Sequence, residues 1–359
     1  MKYSIIAAAL LAACCATASA QSSVTIYGIA DAALVRESGG TAGTMTKLTS
    51  GAASASRIGF RGNEDLGAGV SAIFTLETGY KIDSGELDAT NTLFNRQAFV
   101  GLKSALGAVT LGRQYTPYHN TLVNVADPFA TGMAGTSKNL LPDSGTNVRT
   151  SNTIMYTAPV TQGFSGELAY SAGEQSNISA GRQLGAAIGY SAGPLNLRLA
   201  YNNKNGDTAA TATVVAVSHT IGTNTLLAAN YDFGMLKAFF AYGKDKGFNS
   251  APLGNATNPY GGVRPTASED SVDQLLGLSA PVGPGTLLAS VMRKNDKTSF
   301  NQDARSWGIG YVYPLSKRSN LYGAYGGIDN RNGAGYTVAN NTESGSGNRA
   351  VNLGLRHSF

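Results

Sequence analysis

Residues 351–359 alternate apolar and polar side chains, with His357 in one of the apolar places, and the sequence stops on the ring of Phe359 with no polar tail behind it. A repeat of two is the period of a β-strand. Such a strand has two edges to cover, because unpaired N–H and C=O groups invite pairing with other chains. Closing the sheet into a barrel, last strand against first, covers both.

Alternation of the same kind runs through residues 70–80, 164–170, 195–201 and 307–313. In the third of these, Leu195, Leu197, Leu199 and Tyr201 share one face and Asn196 and Arg198 the other. One face suits lipid and the other water; in a soluble sandwich the apolar face would meet a second sheet instead. The connections separate the two architectures. Short ones (63–69, 104–108, 159–163, 191–194, 232–235, 281–285 and 314–319) take turns with long ones rich in Gly, Asn, Ser and Thr. The long ones span 37–55, 81–92, 116–148, 173–181, 203–224, 245–270, 295–303 and 329–347. A barrel assembled from one side of a membrane leaves tight turns on that side and long loops on the other, whereas a sandwich has no reason to sort them.

Seven turns and eight loops predict an all-β fold, a transmembrane antiparallel up-and-down β-barrel of about 16 strands forming one domain over residues 21–359. Sixteen strands leave room for an aqueous channel. Tyr80, Tyr170, Tyr190, Tyr201, Tyr231, Tyr242, Tyr311 and Phe359 fall near predicted strand ends, where amphipathic rings suit the headgroup level. The longest connection before the middle of the chain, 116–148, carries Pro117, Asp127, Pro128, Phe129, Lys138 and Asp143. It reads as a folded, charged loop that would narrow the channel if turned inward.

The first residues describe export. Lys2, an apolar run over 5–13 and the triplet Ala18, Ser19, Ala20 read as a signal peptide, residues 1–20, removed after Ala20. The run is too short to span a bilayer. Leu11, Ala12, Ala13 and Cys14 also fit a lipobox, so lipid attachment at Cys14 is the alternative processing. Cys14 and Cys15 both lie in the leader, which excludes disulfides and thiol chemistry from the mature chain. Lys2 leaves too, so 26 Lys and Arg stand against 22 Asp and Glu, a net +4 spread along the sequence. Nucleic-acid binding would concentrate that charge in one patch. His119, His219 and His357 have no metal-site spacing. Gly67, Gly69 and Ala72 resemble a dinucleotide fingerprint, but a strand follows where that motif needs a helix. No catalytic residue, metal or cofactor is expected.

Ser56, Arg57, Phe60, Arg61, Glu64 and Gly67 around the second strand form one motif, and Arg96 to Leu102 a second. Gly112, Arg113 and Tyr115 lead into the long loop; Arg149, Asn152 and Tyr156 follow it; Phe359 ends the chain. Together these resemble the general diffusion porins of Gram-negative outer membranes, of the beta-proteobacterial type, over essentially all of residues 21–359. The resemblance implies a homotrimer of sixteen-stranded barrels in the outer membrane, each with its third external loop folded into the lumen. Arg57, Arg61, Arg113 and Arg149 would then be cationic residues of the pore constriction and Asp127 the carboxylate facing them from the loop. Phe359 would be the signal read by the barrel-assembly machinery, and outer-membrane lipid and lipopolysaccharide would surround the barrel.

Parity tests those assignments. Ile58 and Phe60 suit lipid, so Arg57 and Arg61 point inward; Ile154 and Tyr156 suit lipid, so Arg149 points inward too. Arg113 shares a face with Val109 and Leu111, and needs a bulge before it or cover over that stretch of wall. Arg96 has the same difficulty with Ala98, Val100 and Leu102. On the lipid face at mid-depth an arginine costs about 2–4 kcal/mol. The expected function is passive diffusion of ions and small hydrophilic solutes with mild anion preference. A substrate-selective porin with a saturable site, or a surface adhesin or binding barrel, are the alternatives.

Overall fold

The computed structural model describes residues 23–41, 43–175, 179–207, 210, 213, 215–216, 221–247 and 268–359. The expected leader, with Ala20 and Cys14, lies outside the described residues, as do His219 and parts of the loops expected at 203–224 and 245–270.

Seventeen strand segments form one antiparallel sheet. In chain order they are β1 (Ser23–Gly40), β2 (Gly43–Ser50), β3 (Arg57–Gly67), β4 (Val70–Gly79), β5 (Gln97–Ser104), β6 (Gly107–Tyr115), β7 (Arg149–Thr157), β8 (Phe164–Ser171) and β9 (Gln183–Ala192). They continue with β10 (Leu195–Lys204), β11 (Gly222–Asp232), β12 (Lys237–Lys246), β13 (Asp270–Val282), β14 (Gly285–Asp296), β15 (Ala304–Pro314), β16 (Ser319–Asn330) and β17 (Arg349–Ser358). Apart from β2 and β3, which both pair with β1 and not with each other, each pairs with its neighbours in sequence, and β17 pairs with β1 from Ile29↔Ser358 to Ser38↔Arg349. The sheet is closed.

Seventeen segments make sixteen staves. The 18-residue β1 pairs with β2 along its second half and with β3 along its first, so β2 and β3 are two stretches of one barrel strand interrupted at residues 51–56. The expected first long loop, 37–55, is therefore corrected. Most of it is strand, and Gly40 pairs with Gly43 across a tight turn. Its Gly, Thr and Ser residues carry too little apolar alternation to read as strand. The other connections fall within a few residues of expectation, with long ones at one end of the barrel and tight ones at the other.

The hydrophobic pattern faces outward. On β10, Leu197 and Leu199 are about 40% exposed on the lipid side (39% and 42%), whereas Ala200 and Asn202 on the other face are fully buried. Tyr170, Tyr201, Tyr231 and Tyr242 are likewise exposed near strand ends, as expected for interfacial rings. Tyr80 differs. Its hydroxyl donates to the Ile29 carbonyl at 3.2 Å, so it is a wall contact. Phe359 exchanges two backbone hydrogen bonds with Gly28, at 3.0 and 3.1 Å, and its ring lies over the space a Gly28 side chain would fill.

The inward alanines are buried because the loop between β6 and β7 fills that side of the lumen. The loop spans residues 116–148 and its root is closed by Thr116 N–H donating to the Val148 carbonyl (3.0 Å). Thr116 also caps helix α1 (Pro117–Thr121), accepting from His119 N–H, with Pro at the first helical position. A π-turn over Leu122–Ala126 and short 3₁₀ turns at Ser137–Asn139 and Gly145–Asn147 follow. Tyr118, Leu122, Val125, Phe129, Leu140 and Leu141 pack with inward-facing Ala187, Ala200, Leu226, Ala228, Leu275 and Met292 in one core. Each leucine, valine, methionine or phenylalanine side chain among them contributes about 1.5–3 kcal/mol when taken from water.

Polar contacts fix the loop's register on the wall. Asn230 Nδ2 donates to Val125 O (2.9 Å), Ser290 Oγ to Gly135 O (2.7 Å), Asn139 Nδ2 to Ser306 Oγ (2.9 Å) and Arg198 Nε to Thr121 Oγ1 (2.9 Å). Lys294, paired with Asp273 at 2.8 Å, donates to Leu140 O. On the opposite side, residues 51–56 turn into the lumen and catch the loop: Met133 N–H donates to Ala52 O at 2.7 Å. The β16–β17 connection turns inward as well. Asn341 N–H reaches the same Ala52 carbonyl, and Lys138 Nζ donates to Asn341 O at 2.6 Å.

Glycine is required where loop and wall touch. A Cβ on Gly308 of β15 would lie 2.2 Å from Gly135 Cα of the loop. Gly308→Leu is expected to unseat the loop at an overpacking cost of about 1–3 kcal/mol, raising single-channel conductance and lowering the melting temperature in detergent. Unchanged conductance and melting would mean that the loop does not rest on this wall.

Candidate functional site

Beside the loop the lumen holds a cavity of about 590 Å³. The wall contributes Arg57, Arg96, Arg113, Tyr115 and Arg149; the inserted loop contributes His119, Lys138 and Asp143; and the β16–β17 connection contributes Asn340, Asn341 and Glu343. Asp88 completes its charged lining.

Tyr115, the last residue of β6, organises the wall. Its hydroxyl accepts from Arg96 Nη2 at 2.6 Å and from Arg149 Nη2 at 2.9 Å, while the Arg149 guanidinium also lies 4.5 Å from its ring centroid. The ring stacks on His119 at 4.8 Å, which ties the arginine wall to α1. One carboxylate sits among the guanidinium groups. Glu77 accepts from Arg96 Nε (2.8 Å) and from the Tyr27 hydroxyl (2.9 Å), with Arg57 at 3.9 Å. Its negative charge is spent on that side of the wall.

On the loop, His119 Nδ1 and Asp143 Oδ1 are 2.7 Å apart in a buried contact. Burial lowers the His119 imidazolium; burial alone would raise the Asp143 carboxyl, but the His119 hydrogen bond and Lys138 beside it hold it below its usual range. The contact ties the Asp143 carboxylate to the imidazole ring inside the inserted loop. Glu343 is engaged by Lys47 and Thr49. Arg113 and Arg149, in contrast, take part in no ion pair among the described residues.

The residues singled out from sequence separate into three groups. Arg57, Arg113 and Arg149 line the same cavity. For Arg113 the backbone provides the irregularity that parity demanded. Gly112 has φ of 132°, the β6–β7 register shifts between Gly112 and Gln114, and Asn152 opposite has φ of 55°. The Arg113 guanidinium donates to Asn95 O (2.6 Å) and Ser151 Oγ (3.0 Å). Arg61 points inward but lies toward the tight-turn end, with its guanidinium 4.1 Å from the Tyr27 ring centroid, in a separate cavity with Thr25, Asn63 and Lys103.

Asp127 is corrected. It is 3% exposed and accepts backbone N–H bonds from Phe129 (2.8 Å), Thr131 (3.0 Å) and Ser137 (2.7 Å). It braces the loop and does not face the arginines; Asp143 is the loop carboxylate that lines the cavity. Asp127 followed by Pro128 was a turn-forming pair, and that local signal pointed to the bracing role. Arg96 escapes the parity argument because it precedes β5. Glu77 and the β16–β17 residues carried no signal that singled them out, and Tyr115 and His119 were noted only as a motif member and as a histidine without metal-site spacing, since each acts through partners that the local pattern does not show.

Residues 7–333 match the Gram-negative porin family. An outer membrane porin protein of Bordetella pertussis is 30% identical, and outer membrane porin protein 32 of Delftia acidovorans 32% identical, each over the whole of both chains. Among solved structures, the anion-selective porin from Comamonas acidovorans superposes with a TM-score of 0.75 at 28% identity, over 94% of this chain and all of that one. With its closed sixteen-stave barrel and charged, loop-narrowed lumen, the chain belongs to the Gram-negative porins and is an outer-membrane channel.

Proposed function

We propose that the channel passes ions and small hydrophilic solutes passively, with a mild preference for anions, and that the cavity between Tyr115 and the inserted loop is its constriction. The observation that carries this reading is the charge balance of the lining, five Arg and Lys side chains against three carboxylates. Two of those three are already committed, Asp143 to His119 and Glu343 to Lys47. Arg113 and Arg149 are left to act on the solution. In a narrow, partly dehydrated passage a fixed positive field concentrates anions and repels cations. The relative from Comamonas acidovorans, described as anion-selective, supports the same sign. A saturable, substrate-selective site would call for an enclosed pocket matched to one solute, and a binding barrel for a plugged lumen; neither has a specific observation in its favour. The reading requires no turnover, metal or cofactor, and no enzymatic role.

The assembly, export and surroundings of the barrel follow the same family reading. A homotrimer fits the outward alanines of the first strands, Ala30, Ala32, Ala72 and Ala98, which leave a low surface for another barrel. Recognition of Phe359 by the barrel-assembly machinery fits a ring that stays 43% exposed on the outer face at the end of the last strand. Export with removal of residues 1–20, and contact with outer-membrane lipid and lipopolysaccharide, follow from the location.

Reversal potentials in a planar bilayer under a salt gradient test the selectivity. The wild type is expected to reverse on the anion side of zero, and Arg149→Glu or Arg57→Glu to move it toward cations. A cation-preferring wild type, or variants with an unchanged potential, would remove these arginines from the constriction. Asp127→Ala is expected to behave differently. It strands three buried N–H groups at about 1–3 kcal/mol each, so conductance should become noisy and the loop susceptible to protease, with little change in reversal potential. A selectivity shift with a quiet, protease-resistant loop would return Asp127 to the channel lining.

A further inference from the structure

The outer wall of the barrel carries a charge pattern that the channel does not explain. On β14 and β15, Arg293 and Arg305 are directly opposite one another in the ladder. Both are exposed and lie at the long-loop end of their strands. They share the lipid-facing side, because the residues two steps below them, Val291 and Trp307, are also cross-strand partners and Val291 is 55% exposed. Lys244 on β12 faces outward at the same end.

Like charges directly opposite on neighbouring strands repel, and here no carboxylate relieves them. Among the described residues Arg293, Arg305 and Lys244 have no ion pair or hydrogen bond. The one nearby acid, Asp329, is the ladder partner of Arg305 on β16, but its carboxylate lies 3.1 Å from Arg349. Lys246 at the end of β12 has its own partner, Asp270, at 3.4 Å. The patch is local: around the same level on β10 and β11 the outward residues are Tyr201, Asn203, Thr223 and Thr225, all uncharged. A pair of guanidinium forks just above an apolar band, in a chain that spans the outer membrane, calls for a bidentate anion held at headgroup depth.

We infer that Arg293 and Arg305, assisted by Lys244, bind a phosphate of an outer-leaflet lipid headgroup, with its acyl chains lying on the Val291 and Trp307 surface below. The inference rests on the outer-membrane reading, which supplies the phosphate-bearing leaflet, and it is independent of ion selectivity. The two phosphate oxygens take one guanidinium each, and the attached lipid neutralises the repulsion across the ladder.

The test is titration of the full-length purified protein in zwitterionic detergent with diphosphoryl lipid A, dephosphorylated lipid A and inorganic phosphate, read by native mass spectrometry. The wild type should retain diphosphoryl lipid A, and the Arg293→Gln, Arg305→Gln double variant should bind it at least about tenfold more weakly. Lys246→Gln, which removes an already paired charge, should bind as the wild type does. Equal binding by the double variant, an equal loss in Lys246→Gln, or equal retention of dephosphorylated lipid A would each overturn the site. Retention of inorganic phosphate as firm as that of the lipid would also overturn it, as a free-anion site. If the double variant does not assemble, the single Arg305→Gln carries the same comparison. Single-channel conductance of each protein separates the two readings: a conducting variant that still binds lipid A defeats this site alone, and a non-conducting wild type defeats the channel alone.

Discussion

Closure of the sheet is the constraint from which the rest of this structure follows. Inside a bilayer no water is available for a backbone N–H or C=O, so each must find a partner within the protein. The ladder from Ile29↔Ser358 to Ser38↔Arg349 removes both free edges at once. The Phe359 backbone adds a final pair of bonds to Gly28, beyond the last residue of β17. Once the backbone is satisfied by the ring of strands, side chains are free to divide by face: apolar toward lipid, and toward the lumen whatever the channel needs.

That freedom creates a second problem. A sixteen-stave ring is too wide to select small solutes by itself, and a loop reaching into it meets water unless it brings its own core. Here the loop over 116–148 does so. Tyr118, Leu122, Phe129 and Leu140 meet Ala187, Ala200, Ala228 and the Leu226 and Leu275 side chains, so that side of the lumen is packed as a protein interior. Wall residues must be small for the loop to approach, and at Gly308 and Gly326 even a Cβ would collide with loop backbone. The interruption at residues 51–56 belongs to the same solution. By breaking one stave, the chain turns the Ala52 carbonyl inward, where it holds Met133 of the loop and Asn341 of the β16–β17 connection together.

The barrel was legible in the sequence because period-two alternation and the sorting of connection lengths are local signals. Arg57 and Arg149 were placed by the same logic, since each lies on a strand whose lipid face is plain from Ile58 and Phe60, or Ile154 and Tyr156. Legibility failed where the determining partner is far away in the chain. Asp127 was assigned from its charge and its position in the loop, but its role is set by the Phe129, Thr131 and Ser137 amides that fold back on it. The strand at Gly43–Ser50 was hidden because it lacks apolar alternation, and only pairing with the long β1 reveals it. The buried alanines and glycines of β9 to β16 looked like ordinary strand residues until the loop supplied the surface they fit.

The arginine wall shows how a repulsive arrangement is held without being neutralised. Arg57, Arg96 and Arg149 converge around Glu77, and full pairing would cancel the positive field of this lining. Tyr115 resolves this by accepting from Arg96 and Arg149 through a neutral oxygen, and by offering Arg149 its ring face. A hydroxyl acceptor fixes guanidinium geometry and leaves its charge intact. Because the same ring stacks on His119, the position of the arginines is coupled to the seating of the loop opposite. A carboxylate in place of Tyr115 would hold the arginines as firmly and extinguish the positive field; the aromatic hydroxyl holds them and keeps it.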